Sequence, residues 1–542
     1  ASGEFILPWV YLHAMKDYSD MAAHLERHPQ MRCVVNFVPV LLEQIEDYAD
    51  QFASGRFREP LLRLLATPDL ETIGEDDRRL LLTTCFRSNH ATMLAPFPHY
   101  KRLHDLYQLL TLGSDTDCSY LSGAYFSDLV TWYHLAWTGE SERRRNPLLV
   151  RLMSRGQGYD AHDRRQLLEA IGELLTGLIP RWRALAERGQ VEISATPQTH
   201  PLAPLLLDFR CARESQPEAT LPFATAYPGG RNRVRAHIDA ARASHARRFG
   251  APPVGMWPAE GAVSEEFVRH LADSGSRWIA SGEGVLKNSL VASGIGDPRA
   301  AYRPWRLAQA PATTLFFRDE RLSDLIGFDY AKWHGRDAAE HLVQQLEAIL
   351  DGAAEGETPV VSIILDGENA WEHYPYNGYY FFDDLYGLLV DHPRIHTTTY
   401  AEILARPQPP GATTLPKLVA GSWVYGTLST WIGDTAKNRG WDLLCEAKQS
   451  CDRVLASGRL DAGQTAAVEA QLAICESSDW FWWFGDYNPA AAVASFDALY
   501  RRNLARLYRL LQLQPPSHLA VPICAGSATA SGGSMRRVTP AS

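Results

Sequence analysis

Short apolar runs alternate with longer stretches of helical periodicity through roughly the first 400 residues of the chain. The runs are residues 33–38, 191–195, 254–257, 278–280, 314–317, 360–365 and 395–398. Between them, apolar residues recur at three- and four-residue spacing, as in 231–248 and 338–350. Strands that alternate with helices predict a parallel sheet with crossover helices, and this many strands favour a closed α/β barrel. An open Rossmann-type sheet is disfavoured because no G-x-G-x-x-G motif joins a strand to a helix.

The chain is predicted to contain two folded units. Residues 1–405 would form the α/β barrel, with a helical insertion over about 40–188, where the helical period dominates. A Pro- and Gly-rich breaker follows residue 406, and helical periodicity dominates again beyond it, which predicts a C-terminal α-helical domain over 406–515. The Ser- and Gly-rich tail at 516–542 is predicted to be disordered.

Composition excludes several classes of function. With 542 residues, 46% hydrophobic and 21% charged, the chain is typical of a globular protein with a large core. A net charge of -10 without a basic stripe argues against a nucleic-acid partner. No apolar run is long enough to span a membrane, and no signal peptide is visible. The eight cysteines are scattered without a C-x-x-C pair, which favours a cytoplasmic location.

Two carboxylic acids, Glu260 and Asp366, each follow an apolar run directly. The C-terminal ends of barrel strands are where α/β barrels carry their chemistry, so the two side chains are expected to face one cavity. Burial beside tryptophans and the charge of a neighbouring acid would separate their pKa values, leaving one carboxylate and one protonated acid. Such a pair can cleave a glycosidic bond. Helix capping, a surface ion pair, or a magnesium or calcium site completed by His200 and His373 are the alternatives.

Aromatic residues are unusually frequent near the two acids. The chain has 15 Trp and 22 Tyr, and Trp257, Trp371, Trp423 and Trp480 all lie in or near the candidate motifs. Large aromatic residues normally fill cores, but they also stack on the C–H faces of sugar rings. His200, which follows the run at 191–195, is a candidate for hydrogen bonding to a sugar hydroxyl.

Several segments together resemble glycoside hydrolase family 57. Trp-Pro-Ala-Glu at 257–260 resembles its third signature motif, Asp-Gly-Glu-Asn-Ala-Trp-Glu at 366–372 its fourth, and residues 192–201 its second. Stretches at 7–18, 317–319, 421–423 and 478–483 support the resemblance, which extends over about residues 3–515. Each motif alone is moderately specific, but their combination in the right order is strong.

The resemblance implies a (β/α)7 barrel followed by a helical domain, acting on α-glucans with retention of configuration and without a metal or other cofactor. It implies Glu260 as nucleophile and Asp366 as general acid/base. The implied substrate-binding residues are His200, Trp257, Glu368, Trp371, Trp423, Asp479 and Trp480. The fourth motif looks closest to the α-amylase and amylopullulanase branch and less like the branching enzymes.

One departure from the family pattern concerns the first barrel strand. The family's first motif, His-Gln-Pro at the end of that strand, should precede residues 7–9, so we expect an N-terminally truncated chain without this strand. The run at 395–398 is then expected outside the seven-stranded barrel or at its edge.

Other functions remain open from the sequence. A 4-α-glucanotransferase would use the same residues with a sugar acceptor in place of water. An inactive carbohydrate-binding relative would have the same fold but no catalytic activity. A metal-dependent polysaccharide deacetylase would need a metal site, for which the spaced pairs His24/His28 and His392/His396 are weak candidates.

Overall fold

A single mixed sheet organises the fold in the computed structural model, which describes residues 5–110, 120–407, 410–485 and 487–524. The strands are β1 (Cys33–Phe37), β2 (Val191–Ala195), β3 (Gly255–Met256), β4 (Trp278–Ser281), β5 (Trp305–Leu307), β6 (Ala310–Phe317) and β7 (Thr413–Thr414). Their order is β1-β2-β3-β4-β6-β5-β7. The pairs from β1 to β4 and the β4–β6 pair are parallel, whereas β5 returns antiparallel to β6. The C-terminal ends of the parallel strands therefore share one edge of the sheet.

Helices connect the strands and form the C-terminal region. Two helices, α1 (Trp9–His13) and α2 (Ser19–Arg27), precede β1. Between β1 and β2 lie α3 (Pro39–Ser54), α4 (Pro60–Ala66), α5 (Glu75–Thr84), α6 (Pro98–Leu110), α7 (Gly123–Ala136), α8 (Glu140–Arg145), α9 (Pro147–Arg155) and α10 (Ala161–Glu187). Then follow α11 (Ala203–Leu207), α12 (Ala212–Ser215), α13 (Gly230–Phe249), α14 (Glu265–Asp273), α15 (Glu283–Ala292), α16 (Glu320–Asp324), α17 (Gly335–Asp351), α18 (Tyr379–Val390) and α19 (Tyr400–Ala405). The C-terminal helices are α20 (Thr435–Ala456), α21 (Ala462–Cys475), α22 (Asp479–Trp483) and α23 (Ala490–Leu510). Across the described ranges, no helix is both long and apolar enough to cross a membrane.

The predicted fold class, an α/β barrel-type fold followed by C-terminal helices, is confirmed. Two strand predictions were wrong. Residues 360–365 are extended but make only one bridge, between Ser362 and Arg318, because Ile364 bonds to side chains of Ser323 and Arg318 instead of a neighbouring backbone. Residues 395–398 form no strand because their hydrogen bonds also go to side chains, as from the Arg32 N–H to Oγ1 of Thr397.

Two short strands escaped prediction. In β5 the exposed Arg306 separates two buried residues, so no apolar run marks the strand, which exists because it pairs with β6. The two residues of β7 are both exposed threonines and pair with β5. Strands of two or three residues depend on the neighbouring strand for their conformation, and a local pattern cannot reveal them.

The core is divided between two large clusters of buried side chains. One joins the helices between β1 and β2 to α17 and α18. The other joins residues of β2 to β6 to the C-terminal helices, and includes Met256, Phe317, Trp441 and Tyr500. Met256 of β3 belongs to the second cluster, whereas Val361, Ile363 and Leu365, which precede Asp366, pack against the first. The proposed domain limits stay predictions. Of the tail predicted to be disordered, residues 516–524 are described and include a 3-10 helix, Ser517–Ala520, with Leu519 buried, and the remainder lies outside the described residues.

Candidate active site

A cavity of about 1500 Å³ opens beside the sheet and brings the predicted site residues together. Residues that follow β2, β3 and β6 line it, including His200, Glu260 and Arg318. The backbone of β1 and the extended segment 360–365 lie along the same cavity. Glu260, Asp366 and Glu368 all line this one cavity. Glu260 follows β3, whereas Asp366 and Glu368 follow residues 360–365, which form no strand.

The chain turns sharply at Glu260. Both Glu260 and Gly261 adopt left-handed backbone conformations, with φ of 57° and 56°. A side chain at position 261 would meet the Trp257 ring at 2.8 Å, so glycine is required there. Thr196 fixes the start of this turn by donating a hydrogen bond of 2.8 Å to the Trp257 carbonyl. A non-glycine residue held in this conformation carries strain, which is commonly found at functional sites.

Glu260 is held by the loop that contains Trp423. The Trp423 indole Nε1–H donates to Oε2 of Glu260 at 3.0 Å, and the Trp423 backbone N–H donates to the Glu260 carbonyl at 3.1 Å. Burial and the negative charge of Asp366 raise the pKa of Glu260 to about 8, against the opposing effect of the Trp423 hydrogen bond. Glu260 and Asp366 line the same cavity, close enough for the charge of Asp366 to oppose ionisation of Glu260.

Asp366 begins the loop that follows the extended segment 360–365. Asn369 donates a hydrogen bond of 2.8 Å to Oδ2 of Asp366. Burial raises the pKa of Asp366, while the Asn369 hydrogen bond and the positive charges of Arg318 and His200 act in the opposite direction. Arg318 is itself fixed by donating 2.8 Å to the Ile364 carbonyl. The site therefore combines burial, which disfavours the Asp366 carboxylate, with polar and charged groups that stabilise it.

A third carboxyl group, that of Glu368, lies next to this pair. Tyr18 donates a hydrogen bond of 3.3 Å to Oε2 of Glu368. Burial and the charge of Asp366 raise the pKa of Glu368 to about 7. Tyr18 ends a π-helical turn over Ala14–Tyr18, in which Asp17 also bonds to His13 at 2.6 Å. A π-helical turn of this kind is frequent at functional sites.

His200 links the sheet to the C-terminal helices. Its backbone has a φ of 61°, its Nδ1 lies 2.7 Å from Oγ of Ser478, and its carbonyl accepts from the Ser478 N–H at 2.9 Å. Burial lowers the pKa of His200, while the charges of Asp479 and Asp366 act to raise it. The neutral imidazole can therefore accept or donate a hydrogen bond within the cavity.

The predicted aromatic residues divide into three groups. The rings of Trp257 and Trp423 lie edge to face, with centroids 5.1 Å apart, and both line the cavity. Trp371 also borders the cavity but is 95% buried against Phe382, and its Nε1–H donates 3.0 Å to the Gly367 carbonyl. The structure does not bring Trp480 to the cavity. Its indole donates to the Ile474 carbonyl at 2.8 Å and packs on Tyr500.

The family model for glycosyl hydrolase family 57 matches residues 1–416, most of the chain. The chain belongs to glycosyl hydrolase family 57. No curated protein matches it. Among solved structures, the family 57 branching enzyme from Thermococcus kodakaraensis is 16% identical with a TM-score of 0.59, over 94% of this chain and 86% of that one.

The fold of this family 57 chain is also similar to that of two further solved structures. A branching enzyme from Pyrococcus horikoshii is 16% identical with a TM-score of 0.57, over 94% of this chain and 86% of that one. The α-amylase AmyC from Thermotoga maritima is 12% identical with a TM-score of 0.54, over 93% of this chain and 88% of that one. At these identities the likeness establishes the fold alone.

Several residues of the family 57 site were missed in the sequence. Trp482 and Trp483 line the cavity together with the predicted Asp479, and the Trp483 ring stacks on Phe496 at 4.6 Å. The helical turn over 479–483 decides which of its indoles face the cavity, and the aromatic run alone could not separate them. Arg318 directly follows β6, so an arginine at a buried strand end was the available signal for it.

Three of the four histidines considered for a metal are engaged elsewhere in the fold, whereas His396 lines the cavity. His28 lies 3.0 Å from Asp383 and His392 lies 3.2 Å from Glu347. His24 packs against Phe382 with ring centroids 4.7 Å apart. Across the described residues, no group of three or more His, Cys, Asp or Glu side chains could hold a metal ion.

Proposed function

We propose that this family 57 chain is a retaining glycoside hydrolase that acts on α-glucans such as starch, glycogen and maltooligosaccharides, and possesses the α-amylase or amylopullulanase type of activity. The observation that carries the proposal is that Glu260 and Asp366 line one cavity together with Trp257 and Trp423. Hydrolysis of a glycosidic bond requires two carboxyl groups, one on each side of the scissile bond.

In the proposed reaction Asp366 protonates the glycosidic oxygen while Glu260 attacks the anomeric carbon. The C–O bond to the leaving sugar breaks, a covalent glycosyl-enzyme forms, and the leaving sugar departs with the Asp366 proton. Asp366, now a carboxylate, then removes a proton from water, whose oxygen attacks the anomeric carbon and releases Glu260. Two displacements at the same carbon retain its configuration.

The proton needed for this sequence is supplied by the carboxyl pair. Burial raises the pKa values of both Glu260 and Asp366, and the charge of Asp366 raises that of Glu260 further. With the pKa of Glu260 raised to about 8, we expect the pair to hold one proton near neutral pH. Attack requires this proton on Asp366. The indole N–H of Trp423 stabilises the Glu260 carboxylate that remains.

The cavity also suits the proposed substrate. At about 1500 Å³ it exceeds the usual range for a small-molecule pocket of roughly 300–1000 Å³, which fits a chain of several sugar rings. Trp257, Trp423 and Trp483 offer aromatic surface, and His200 and Glu368 offer hydrogen-bonding groups. We extend the proposal to a cytoplasmic enzyme, because the seven cysteines of the described residues are all free.

Product analysis tests this function. The chain is incubated with amylose and with pullulan, and the products are followed by chromatography and by proton NMR of the new reducing ends. Release of α-configured reducing sugars supports the proposal. Products of the β configuration would contradict the retaining mechanism, transfer to longer chains without net hydrolysis would indicate a 4-α-glucanotransferase, and loss of activity with a chelator would contradict the metal-free mechanism.

A further inference from the structure

A cluster of exposed tyrosines lies outside the catalytic cavity. Tyr376 and Tyr380 are 54% and 48% exposed, and their rings meet edge to face with centroids 5.5 Å apart. Tyr379 lies beside them at 5.4 Å from Tyr380. We refer to Tyr376, Tyr379, Tyr380 and Arg144 as the tyrosine patch. None of the proposed catalytic steps uses these residues.

The backbone that presents Tyr376 is strained. Tyr376, Asn377 and Gly378 are consecutive and all left-handed, with φ of 53°, 54° and 75°. Tyrosine rarely adopts this conformation, because its Cβ approaches the backbone too closely. Strain of this kind persists only where the surrounding structure holds it and is concentrated at ligand-binding and active sites.

Asn377 supplies the anchor for this turn. Its buried side chain donates a hydrogen bond of 2.9 Å to Oδ2 of Asp20. The same Asp20 carboxylate accepts from the backbone N–H groups of Glu140 and Ser141 at 2.7 and 2.9 Å. Asp20 therefore ties the strained turn to the start of α8, the helix that carries Arg144.

Arg144 is fixed in the middle of the patch. Its Nε donates to Glu140 at 2.7 Å, and its Nη2 donates to the Tyr380 hydroxyl at 3.2 Å. The guanidinium lies 4.3 Å from the centroid of the Tyr379 ring and 5.7 Å from that of Tyr376. A flexible side chain is thus held in one place before any ligand binds, which reduces the entropy cost of binding.

The residues of the patch are neighbours in sequence of residues that line the catalytic cavity. The loop that starts at Asp366 passes through Glu372 and His373, which line the cavity, and reaches Tyr376 three residues later. Helix α18, which begins with Tyr379, then lines the cavity with Phe382. A chain that leaves the cavity over His373 would meet the tyrosine patch next.

We propose that the tyrosine patch is an auxiliary binding site for α-glucan chains, which holds a segment of polysaccharide that extends out of the catalytic cavity. Two half-exposed rings can stack on the C–H faces of glucose units, and the fixed guanidinium and tyrosine hydroxyls can bond to sugar hydroxyls. This inference rests on the proposed function for its choice of ligand. Tyrosine and arginine are also frequent in protein interfaces, so the test has to separate a glucan from a protein partner.

The test measures retardation in native gels that contain amylose. The variant combines Tyr376→Asn, which keeps a residue that tolerates the left-handed conformation, with Tyr380→Ala in the first turn of α18. We expect about tenfold weaker binding to amylose and unchanged turnover of maltotriose, because the proposal assigns the patch to longer chains that extend out of the cavity. Phe223→Ala is the matched control. Phe223 is an aromatic residue outside the patch that is 96% exposed, so its replacement should leave both amylose binding and maltotriose turnover unchanged.

The outcomes separate this proposal from the proposed function. Unchanged retardation by amylose in a folded double variant would overturn the auxiliary site, as would a loss of self-association in solution with amylose binding intact. If the double variant does not fold, Tyr376→Asn alone is tested in the same way. Retardation by amylose is also measured with Glu260→Gln, which has no turnover under the proposed function. Amylose binding at the patch is thereby tested without cleavage. It can be decided even if the wild-type chain cleaves no glucan.

Discussion

The indole Nε1–H of Trp423 donates a hydrogen bond of 3.0 Å to Oε2 of Glu260 and so joins two loops that are 163 residues apart. The backbone of Trp423 is paired with that of Glu260 as well. The carboxyl group therefore has one fixed donor that favours its ionised form in a setting where burial opposes ionisation.

Replacing this donor should slow the enzyme and move its pH profile. Trp423→Phe keeps an aromatic ring but removes the hydrogen bond to Glu260, which is worth roughly 1.5–3 kcal/mol for a charged acceptor. We expect kcat on maltooligosaccharides to fall about tenfold or more, and the alkaline limb of the profile to move to higher pH. Trp480→Phe is the control, because its ring lies away from the cavity. Equal effects of the two changes would contradict the assigned contact.

The roles of the two acids can be separated with a substrate that needs no acid catalysis. Fluoride leaves an α-maltosyl fluoride without protonation, so Asp366→Asn should still form the glycosyl-enzyme while Glu260→Gln should not. We expect turnover of starch to fall by at least about 10³-fold in both variants. Added azide should then give a glycosyl azide of retained configuration with Asp366→Asn and of inverted configuration with Glu260→Gln.

The partly buried Glu192 supplies a matched control for these substitutions. Its pKa is also raised by burial, and it bonds to Trp278 at 2.6 Å, but it does not line the cavity. Glu192→Gln should therefore keep most of the activity. The opposite azide stereochemistry, with retention in the Glu260 variant, would exchange the two proposed roles.

The third carboxyl group, Glu368, should set the position of the alkaline limb. Its negative charge is one of the causes that raise the pKa of Glu260, so Glu368→Gln should lower that pKa and move the alkaline limb of kcat/KM to lower pH. Tyr18→Phe should shift the limb in the same direction by a smaller amount. It removes a hydrogen bond that favours the Glu368 carboxylate, so Glu368 carries less charge near neutral pH. A limb that does not move in either variant would contradict this coupling.

The candidate acids and the alternation of strands and helices could be predicted because both are local patterns. An apolar run that leads to Glu260 or Asp366 already indicates that the acid follows a partly buried segment, and both acids do line the cavity. The contacts of Trp423 and Trp480 could not be predicted in the same way. Both are tryptophans in plausible motifs, and only the packing of the C-terminal helices decides that Trp423 reaches Glu260 whereas Trp480 packs on Tyr500.

The strand at 360–365 illustrates the same limit. The composition of this run is that of a buried strand, and its backbone is extended as expected. A strand also needs a neighbour that offers backbone groups in register, and here Ser323 and Arg318 offer side chains instead. The residue types of a segment predict its backbone conformation, whereas its pairing into a sheet depends on which groups the adjacent segment offers.

Replacement of Glu260 should also stabilise the fold at alkaline pH. A pKa raised from an ordinary value of about 4.5 to about 8 means that the folded state holds a proton that the unfolded state has lost between these pH values, so stability falls as pH rises across this window. Glu260→Gln removes that dependence, and we expect it to raise the free energy of unfolding by roughly 1–3 kcal/mol at pH 8.5. Thermal unfolding at pH 8.5 and at pH 4.5 checks this, since the two proteins should differ little at the lower pH.

The buried carboxylate of Glu476 should instead stabilise the fold through its charge. It accepts hydrogen bonds from His237, Arg233 and Tyr227 at 2.7, 2.8 and 2.6 Å. Burial opposes ionisation, but the hydrogen bonds and charges of His237 and Arg233 outweigh it and lower the pKa of Glu476 to about 2. These contacts connect α13 to the end of α21.

Removing this charge leaves buried cations without a counterion, so Glu476→Gln should lower the free energy of unfolding by roughly 3–5 kcal/mol near pH 7. The contribution of the carboxylate is present above the unfolded pKa of about 4.3 and is lost as pH falls towards 2, because the folded state then has to bind the proton. Urea unfolding at pH 7 and pH 3 should therefore show a larger difference between wild type and variant at pH 7. The exposed Glu469 on α21 is the matched control: Glu469→Gln should change stability by less than about 0.5 kcal/mol, and an equal loss in both variants would contradict the role of the buried cluster.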